Sequence, residues 1–190
     1  HHALDSYLPK LVRAGHRVAI CDQLEDPRFV KGIVKRGVTE LVTPGVSYND
    51  TVLERKRNNF LASVHADKNL LGVAFLDIST GEFYCAQGAE DYVLKLIQSL
   101  SPSEIIYAKG QRTRLEKHFE ADYATFVLDD WAYVLDYAQE KLLQQFKTAS
   151  LKGFGVVGLD AAIIAAGAVL HYLEATEHRE THHIASLARM

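Results

Sequence analysis

Residues Asn69 to Ala86 read NLLGVAFLDISTGEFYCA. Leu70 to Ile78 is almost continuously apolar, Ser79-Thr80-Gly81 interrupts it, and Glu82 to Ala86 resumes with aromatic residues. A run apolar on both faces and bounded by turn residues predicts a strand buried on two sides. Gly81 after Ser79-Thr80 supplies the backbone freedom of a tight reversal, so the second run is expected to fold back antiparallel to the first. Helical patterns follow, which makes this hairpin the first ribbon of a sheet that helices cover.

Working outward from the hairpin, Phe60 to Val64 reads as a strand leading into it. Val93, Leu96, Ile97 and Leu100 stripe a helix that Ser101-Pro102 ends. Glu104 to Ala108 (EIIYA) is a strand, Arg112 to Phe119 a charged helix and Thr125 to Leu128 a further strand. Leu135, Ala138, Leu142 and Phe146 stripe the next helix, whose span is taken as Trp131 to Lys147. Between Leu159 and Leu173 apolar residues go nearly all the way round, as in a helix buried on most sides. Toward the other end, Leu4, Leu8, Leu11 and Val12 fall at helical spacing, with Pro9 expected to kink that helix or shift its start. Arg17 to Cys21 reads as a strand, Asp26-Pro27 as the opening of a helical turn towards Lys35, and Val38 to Val42 as a second strand. Thr43-Pro44-Gly45 closes that strand and is the candidate domain boundary. The fold class is α/β: a mixed sheet led by a β-hairpin and flanked by helices, preceded by a partial α/β unit.

Bulk properties narrow the function classes. The chain has 190 residues, 48% of them hydrophobic, and a formal net charge of −3, which does not make it an electrostatic binder of nucleic acid as a whole. Residues 1–46 carry seven Lys/Arg against five Asp/Glu, and 47–190 fourteen against nineteen, so the two parts suit different partners. Two cysteines, Cys21 and Cys85, lie far apart in apolar contexts, which argues against a disulfide framework and for a reducing cytoplasm. No signal peptide is visible, and the apolar stretch from Val156 to Leu170 carries Asp160 and is too short to span a bilayer, so no membrane partner is expected.

Three patterns invite catalytic or ligand readings. Gly153 to Gly158 (GFGVVG) is literally G-x-G-x-x-G, yet no strand delivers the chain into it, so it reads as a close-packed approach to the following helix. His171, Glu174, His178 and His182 would align on one face of an unbroken helix and suit zinc, but they also suit a solvated face where the buried helix emerges. Asp77 sits on the hairpin strand where a metal-dependent nuclease would place a carboxylate. Glu104 and Asp129-Asp130 show no convergence on it, and Asp77 has an alternative task in binding amides of the Ser79-Thr80 turn. Basic residues cluster at Arg28, Lys31, Lys35 and Arg36, with a second run at Arg55-Lys56-Arg57.

The order of HALDSYLPKLVRAGHRVAICDQLEDP, KGIVKRGVTELVTPGV, LDISTGEF (Leu76 to Phe83), GFGV and His183-Ile184 closely resembles the MutS family of DNA mismatch repair proteins, over nearly the whole chain. The resemblance implies that residues 1–45 are the C-terminal part of a mismatch-binding domain, 46–170 a connector domain of ribonuclease H-like fold, and 171–190 the start of the lever helices. It places the family's aromatic wedge motif upstream of His1 and its phosphate-cradling ATPase loop outside this sequence. By that resemblance Arg28, Lys31, Lys35 and Arg36 meet DNA phosphates, and the helix face of Tyr137, Glu140, Lys141 and Gln144 is a candidate docking surface for a MutL-type partner. The implied role is non-catalytic: relaying ATP-driven change to a DNA clamp, with mismatched double-stranded DNA as ligand. ATP and Mg are expected only for a homodimeric parent protein. The alternative from another class is a metal-dependent nuclease using Asp77.

Overall fold

The hairpin forms as expected in the computed structural model of the chain, which describes residues 2–47 and 58–190. β4 (Leu70–Asp77) and β5 (Glu82–Gly88), with β3 (Phe60–Asp67) on the other side of β4, make an antiparallel ribbon with Asp77 opposite both Phe60 and Glu82. Gly81 turns the chain at φ 78°, a left-handed value that favours glycine, and its amide closes the reversal on the Asp77 carbonyl at 2.8 Å.

Two further strands add in parallel beside β3: β6 (Glu104–Ala108) and then β7 (Ala124–Leu128). A short strand near the C-terminal end, β8 (Ala188–Arg189), lies parallel to β5 at the opposite edge. The sheet order is therefore β7-β6-β3-β4-β5-β8, a mixed six-stranded sheet.

Helices cover both faces, which is why its central strands alternate nothing in polarity. On one face Leu71, Val73, Phe75, Ala62, Val64, Ile105 and Tyr107 pack on α2 (Glu90–Leu100) and α3 (Arg112–Phe119) through Val93, Ile97, Leu115 and Phe119. On the other, Leu61, Ala74, Leu76, Cys85 and Ile106 meet α4 (Leu135–Phe146) and α5 (Asp160–Ala175). α5 is the most enclosed helix, and it lies so close to β4 that a Cβ placed on Gly72 would sit 2.1 Å from the Ala161 carbonyl. At the end of α2, Ser101 takes φ 45° and donates its amide to the Ile97 carbonyl, ending the helix just before Pro102.

Upstream, α1 (His2–Arg13) is followed by an antiparallel pair, β1 (Val18–Gln23) and β2 (Arg36–Val42). Pro9 lies inside α1 and does not shift its start, one of the two effects expected of it. Two expectations are corrected here. Residues 26–35 form turns and bends instead of a helical turn, because the Asp26 carboxylate takes the Arg28 amide at 2.9 Å and Gly32 adopts φ 128°, outside any helix. The span from Trp131 splits, with Asp130–Tyr133 forming a 3₁₀ turn and Val134 extended, so α4 begins at Leu135. A separate small core buries Leu8 and Val12 against Val42, with Leu4, Val18 and Ile20 at its margin, while Leu11 is 42% exposed. Burying two such side chains is worth about 1.5–3 kcal/mol each.

Candidate nucleic-acid and partner surfaces

The basic residues Arg28, Lys31 and Lys35 lie on the connection between β1 and β2, Arg36 is the first residue of β2, and all four are exposed. They do not act alike. Arg28 is held by Asp26 through Nε and Nη2, the shortest contact being 2.7 Å, and this partner holds the Asp26 carboxyl below and the Arg28 guanidinium above their ordinary ranges. Lys31, Lys35 and Arg36 form no ion pair with any described residue, which leaves their charge for an outside anion. The base of the connection is fixed, since the Leu24 amide reaches the Lys35 carbonyl and the Lys35 amide reaches Glu25 Oε2. The second basic run, Arg55-Lys56-Arg57, lies outside the described residues.

On α4, spacings of three and four residues align Tyr137, Glu140, Lys141 and Gln144, but the structure divides them. Tyr137 and Lys141 turn towards α5: the Tyr137 hydroxyl is 3.0 Å from His171 Nδ1, and Lys141 Nζ is 2.6 Å from Glu174 Oε2. Partial burial pulls the Lys141 ammonium down, but its contacts with Glu174 and Tyr137 outweigh that and raise it. Glu140 and Gln144 face outward and bind each other, Gln144 Nε2 donating to Glu140 Oε1 at 2.9 Å. Trp131, 53% exposed, extends this surface, its ring centroid 4.7 Å from that of His171 in an edge-on arrangement. A groove of about 490 Å³ runs beside it, lined by Lys141, Gln144, Glu174 and His178.

Between these two surfaces runs a seam that the sequence reading missed. Glu104 is 1% exposed at the start of β6. Its Oε2 accepts from the Thr43 hydroxyl at 2.6 Å and the Gly45 amide at 3.1 Å, and its Oε1 accepts from the Tyr172 hydroxyl at 2.7 Å. Burial pushes the Glu104 carboxyl up, an effect that these three donors and the nearby Arg17 charge partly offset. Arg17 lies with its guanidinium carbon 3.5 Å from the Phe126 ring centroid, a cation–π contact from the first segment onto β7. The Leu41 amide donates to the Thr176 carbonyl, and buried His178 places Nε2 3.3 Å from Glu40 Oε1, a contact that becomes an ion pair when the imidazole is protonated. The legible signal was a lone carboxylate opening the otherwise apolar EIIYA strand, opposite a Thr-Pro-Gly turn.

The catalytic and ligand patterns find other employment. Asp77 accepts from the Ser79 amide and hydroxyl at Oδ1 and from the Asn59 amide at Oδ2, so it organises the hairpin turn. His178 lies beyond the end of α5 and is buried, which breaks the row of His171, Glu174, His178 and His182. Among the described residues no group of three or more His, Cys, Asp or Glu could hold a metal ion. The glycine run begins inside a 3₁₀ turn, Leu151–Phe154, with no strand leading into it. Cys21 and Cys85 are both free, and burial pushes the Cys85 thiol up to about 12. No helix among the described residues is long and apolar enough to cross a membrane.

Comparison with known proteins gives these surfaces a context. The family described as MutS domain I matches residues 1–51, and that described as MutS domain II matches 59–185. DNA mismatch repair protein MutS of Bacteroides fragilis is 59% identical over 190 residues, and that of Bacteroides thetaiotaomicron 60%. The corresponding protein of Flavobacterium johnsoniae is 56% identical over 191 residues. Each comparison covers 100% of this chain and 22% of the relative, so the chain spans about a fifth of their length. The chain belongs to the MutS family of DNA mismatch repair proteins.

Proposed function

We propose that this chain is a non-catalytic relay in DNA mismatch repair, joining a DNA-gripping segment to a block that passes on nucleotide-driven movement. The observation that carries it is the seam: one buried carboxylate, Glu104, holds the turn that ends the first segment and the helix that crosses the sheet domain. A rigid joint transmits displacement where a flexible linker absorbs it. The division follows the sequence reading, with 1–45 as the end of a mismatch-binding domain, 46–170 as a connector and 171–190 as the start of a lever. The hairpin with parallel strands added beside it supports a ribonuclease H-like fold for the connector.

In this reading Arg28, Lys31, Lys35 and Arg36 lie towards the phosphates of mismatched duplex DNA, with Arg28 already committed to Asp26. Tyr137, Glu140, Lys141 and Gln144 lie towards a MutL-type partner. ATP and Mg serve a larger, homodimeric cytoplasmic parent, and hydrolysis belongs to that parent. The nuclease alternative has no supporting feature, since Asp77 is occupied with its own turn.

Filter binding with heteroduplex and homoduplex DNA tests this reading. The chain alone is expected to bind both equally and to hydrolyse no ATP. A preference for the mismatch, or turnover of ATP, overturns it.

A further inference from the structure

The end of α5 sets His178 in place by backbone geometry. Glu177 takes φ 63°, and the His178 amide bonds back to the Leu173 carbonyl at 2.8 Å, a closure that turns the imidazole inward against β2. There His178 is 3% exposed, with Nδ1 3.0 Å from the Thr176 hydroxyl oxygen and Nε2 3.3 Å from Glu40 Oε1.

Thr176 decides where the protons lie. Its hydroxyl is 2.8 Å from the Tyr172 carbonyl and 3.1 Å from the Leu173 carbonyl, and both of those oxygens only accept. The single hydroxyl proton is committed to them, so towards His178 the Thr176 oxygen accepts, and Nδ1 must carry a proton to donate to it. A neutral ring then has a bare lone pair on Nε2, facing a carboxylate oxygen at 3.3 Å with no proton between two acceptors. A second ring proton removes that conflict, because Nε2–H donates to Glu40 in a charge-assisted bond.

The other charges around the ring are paired among themselves. The groove beside it holds Lys141 from α4 and Glu174 from α5, bonded to each other at 2.6 Å, and Arg179 of its own segment is bonded to Glu177 at 2.7 Å. Glu40, from β2, is the charge that faces Nε2. The carboxyl end of α5 adds the negative pole of a 16-residue helix, which favours a cation there.

We propose that His178 and Glu40 form a proton-dependent latch on the seam. An imidazolium holds β2 against the end of α5, and loss of its Nε2 proton sets two acceptors face to face and loosens the neighbouring bond from the Leu41 amide to the Thr176 carbonyl. The latch is present while the proton is bound and is lost as pH rises and removes it. It goes beyond the relay reading and needs none of that reading's ligands, so its failure leaves the relay standing.

Side-chain proton–nitrogen NMR spectra of the chain read the ring directly. At neutral pH both His178 ring nitrogens are expected to be protonated. Glu40→Gln offers an amide donor in place of the carboxylate, so in that variant the ring is expected to be neutral with its proton on Nδ1. Hydrogen exchange at the Leu41 amide, 3.1 Å from the Thr176 carbonyl, reads the seam. After correction for intrinsic rates, Glu40→Ala should lose about tenfold in protection at neutral pH and Glu40→Gln less than about twofold. From neutral pH to about 9, protection should fall in the parent and stay level in Glu40→Gln. Glu104 is present in both chains, so its own titration cancels from that comparison.

A neutral His178 in the parent at neutral pH, or any state other than a single proton on Nδ1 in Glu40→Gln, overturns the proposal. Equal loss of protection in the Gln and Ala variants overturns it, as does a pH profile at Leu41 that Glu40→Gln shares with the parent. Faster exchange of Leu71 to Asp77 alongside Leu41 shows a general loss of stability in place of a local latch, and overturns it too.

Discussion

The Thr43 hydroxyl donates to Glu104 Oε2 at 2.6 Å across 61 residues of sequence, joining the last turn of the first segment to the first residue of β6. Both side chains are buried, and water cannot replace the bond if either is removed. Glu104→Ala leaves the Thr43 and Tyr172 hydroxyls and the Gly45 amide without their acceptor, each costing about 1–3 kcal/mol. Chemical denaturation should show a loss of at least about 2 kcal/mol for Glu104→Ala and about 1 kcal/mol for Thr43→Val. Unchanged midpoints in both variants would show that the bond contributes nothing.

Acid should affect the same carboxylate in a direction opposite to most. Burial raises Glu104 above its ordinary value of 4.5, so its contribution to stability is fully present below that value and is lost as pH rises through the folded value. Glu104→Gln does not titrate. The stability of the parent chain relative to Glu104→Gln should therefore increase as pH is lowered from neutrality towards about 4.5. Paired urea titrations at several pH values measure the difference, and a difference that shrinks on acidification contradicts the assignment.

Close approach of α5 to β4 gives a steric prediction. A methyl group on Gly72 has no room beside Ala161, whereas nothing lies within 4 Å of a Cβ on Gly153. Gly72→Ala should lower stability by about 1–3 kcal/mol or more, while Gly153→Ala should be near neutral. Thermal melting of the two variants decides this, and equal melting temperatures would refute the packing described for α5. The harmless variant also bears on the glycine run, which a nucleotide-cradling loop would not let change without cost.

Trp131 is the single tryptophan, and its ring meets that of His171 edge to face with centroids 4.7 Å apart. Burial lowers His171 below its ordinary value of 6.5, so the neutral imidazole that meets Tyr137 favours folding above that value, and the benefit is lost as pH falls through the folded value. Protonation places a quencher beside the indole. Emission of the chain should fall on acidification at a midpoint below that of free histidine, and His171→Gln should abolish the step. A midpoint at or above 6.5 contradicts the burial of His171.

The fold was largely legible because its signals were local. Leu70 to Ile78 reads as a doubly buried strand and Ser79-Thr80-Gly81 as its reversal, and β4 (Leu70–Asp77) with the turn at Gly81 follows that reading. The EIIYA strand and the helix Arg112–Phe119 appear where the sequence puts them. Misreadings fell where one side chain overrides propensity: Asp26 captures a backbone amide, and the helix expected from Trp131 starts only at Leu135. The site was less legible. Arg28 looks like its basic neighbours in sequence, and only the structure shows it neutralised by Asp26. Glu104 reads as one polar residue in a strand because its partners, Thr43, Gly45 and Tyr172, are distant in the chain. Leu8 and Val12 of α1 are buried against Val42 at the end of β2, a packing partner that is distant in the chain.

Hydrogen-exchange mass spectrometry on the parent chain and Glu104→Ala tests most directly whether the first segment and the sheet domain are one body. In the parent, amides of Leu41, Thr43 and Val46 should exchange slowly, since each is bonded in the seam or its turn. In Glu104→Ala the segment 36–47 should exchange at least about tenfold faster while Leu71 to Asp77 is unchanged. Fast exchange of 36–47 already in the parent, or no acceleration in the variant, would contradict the account.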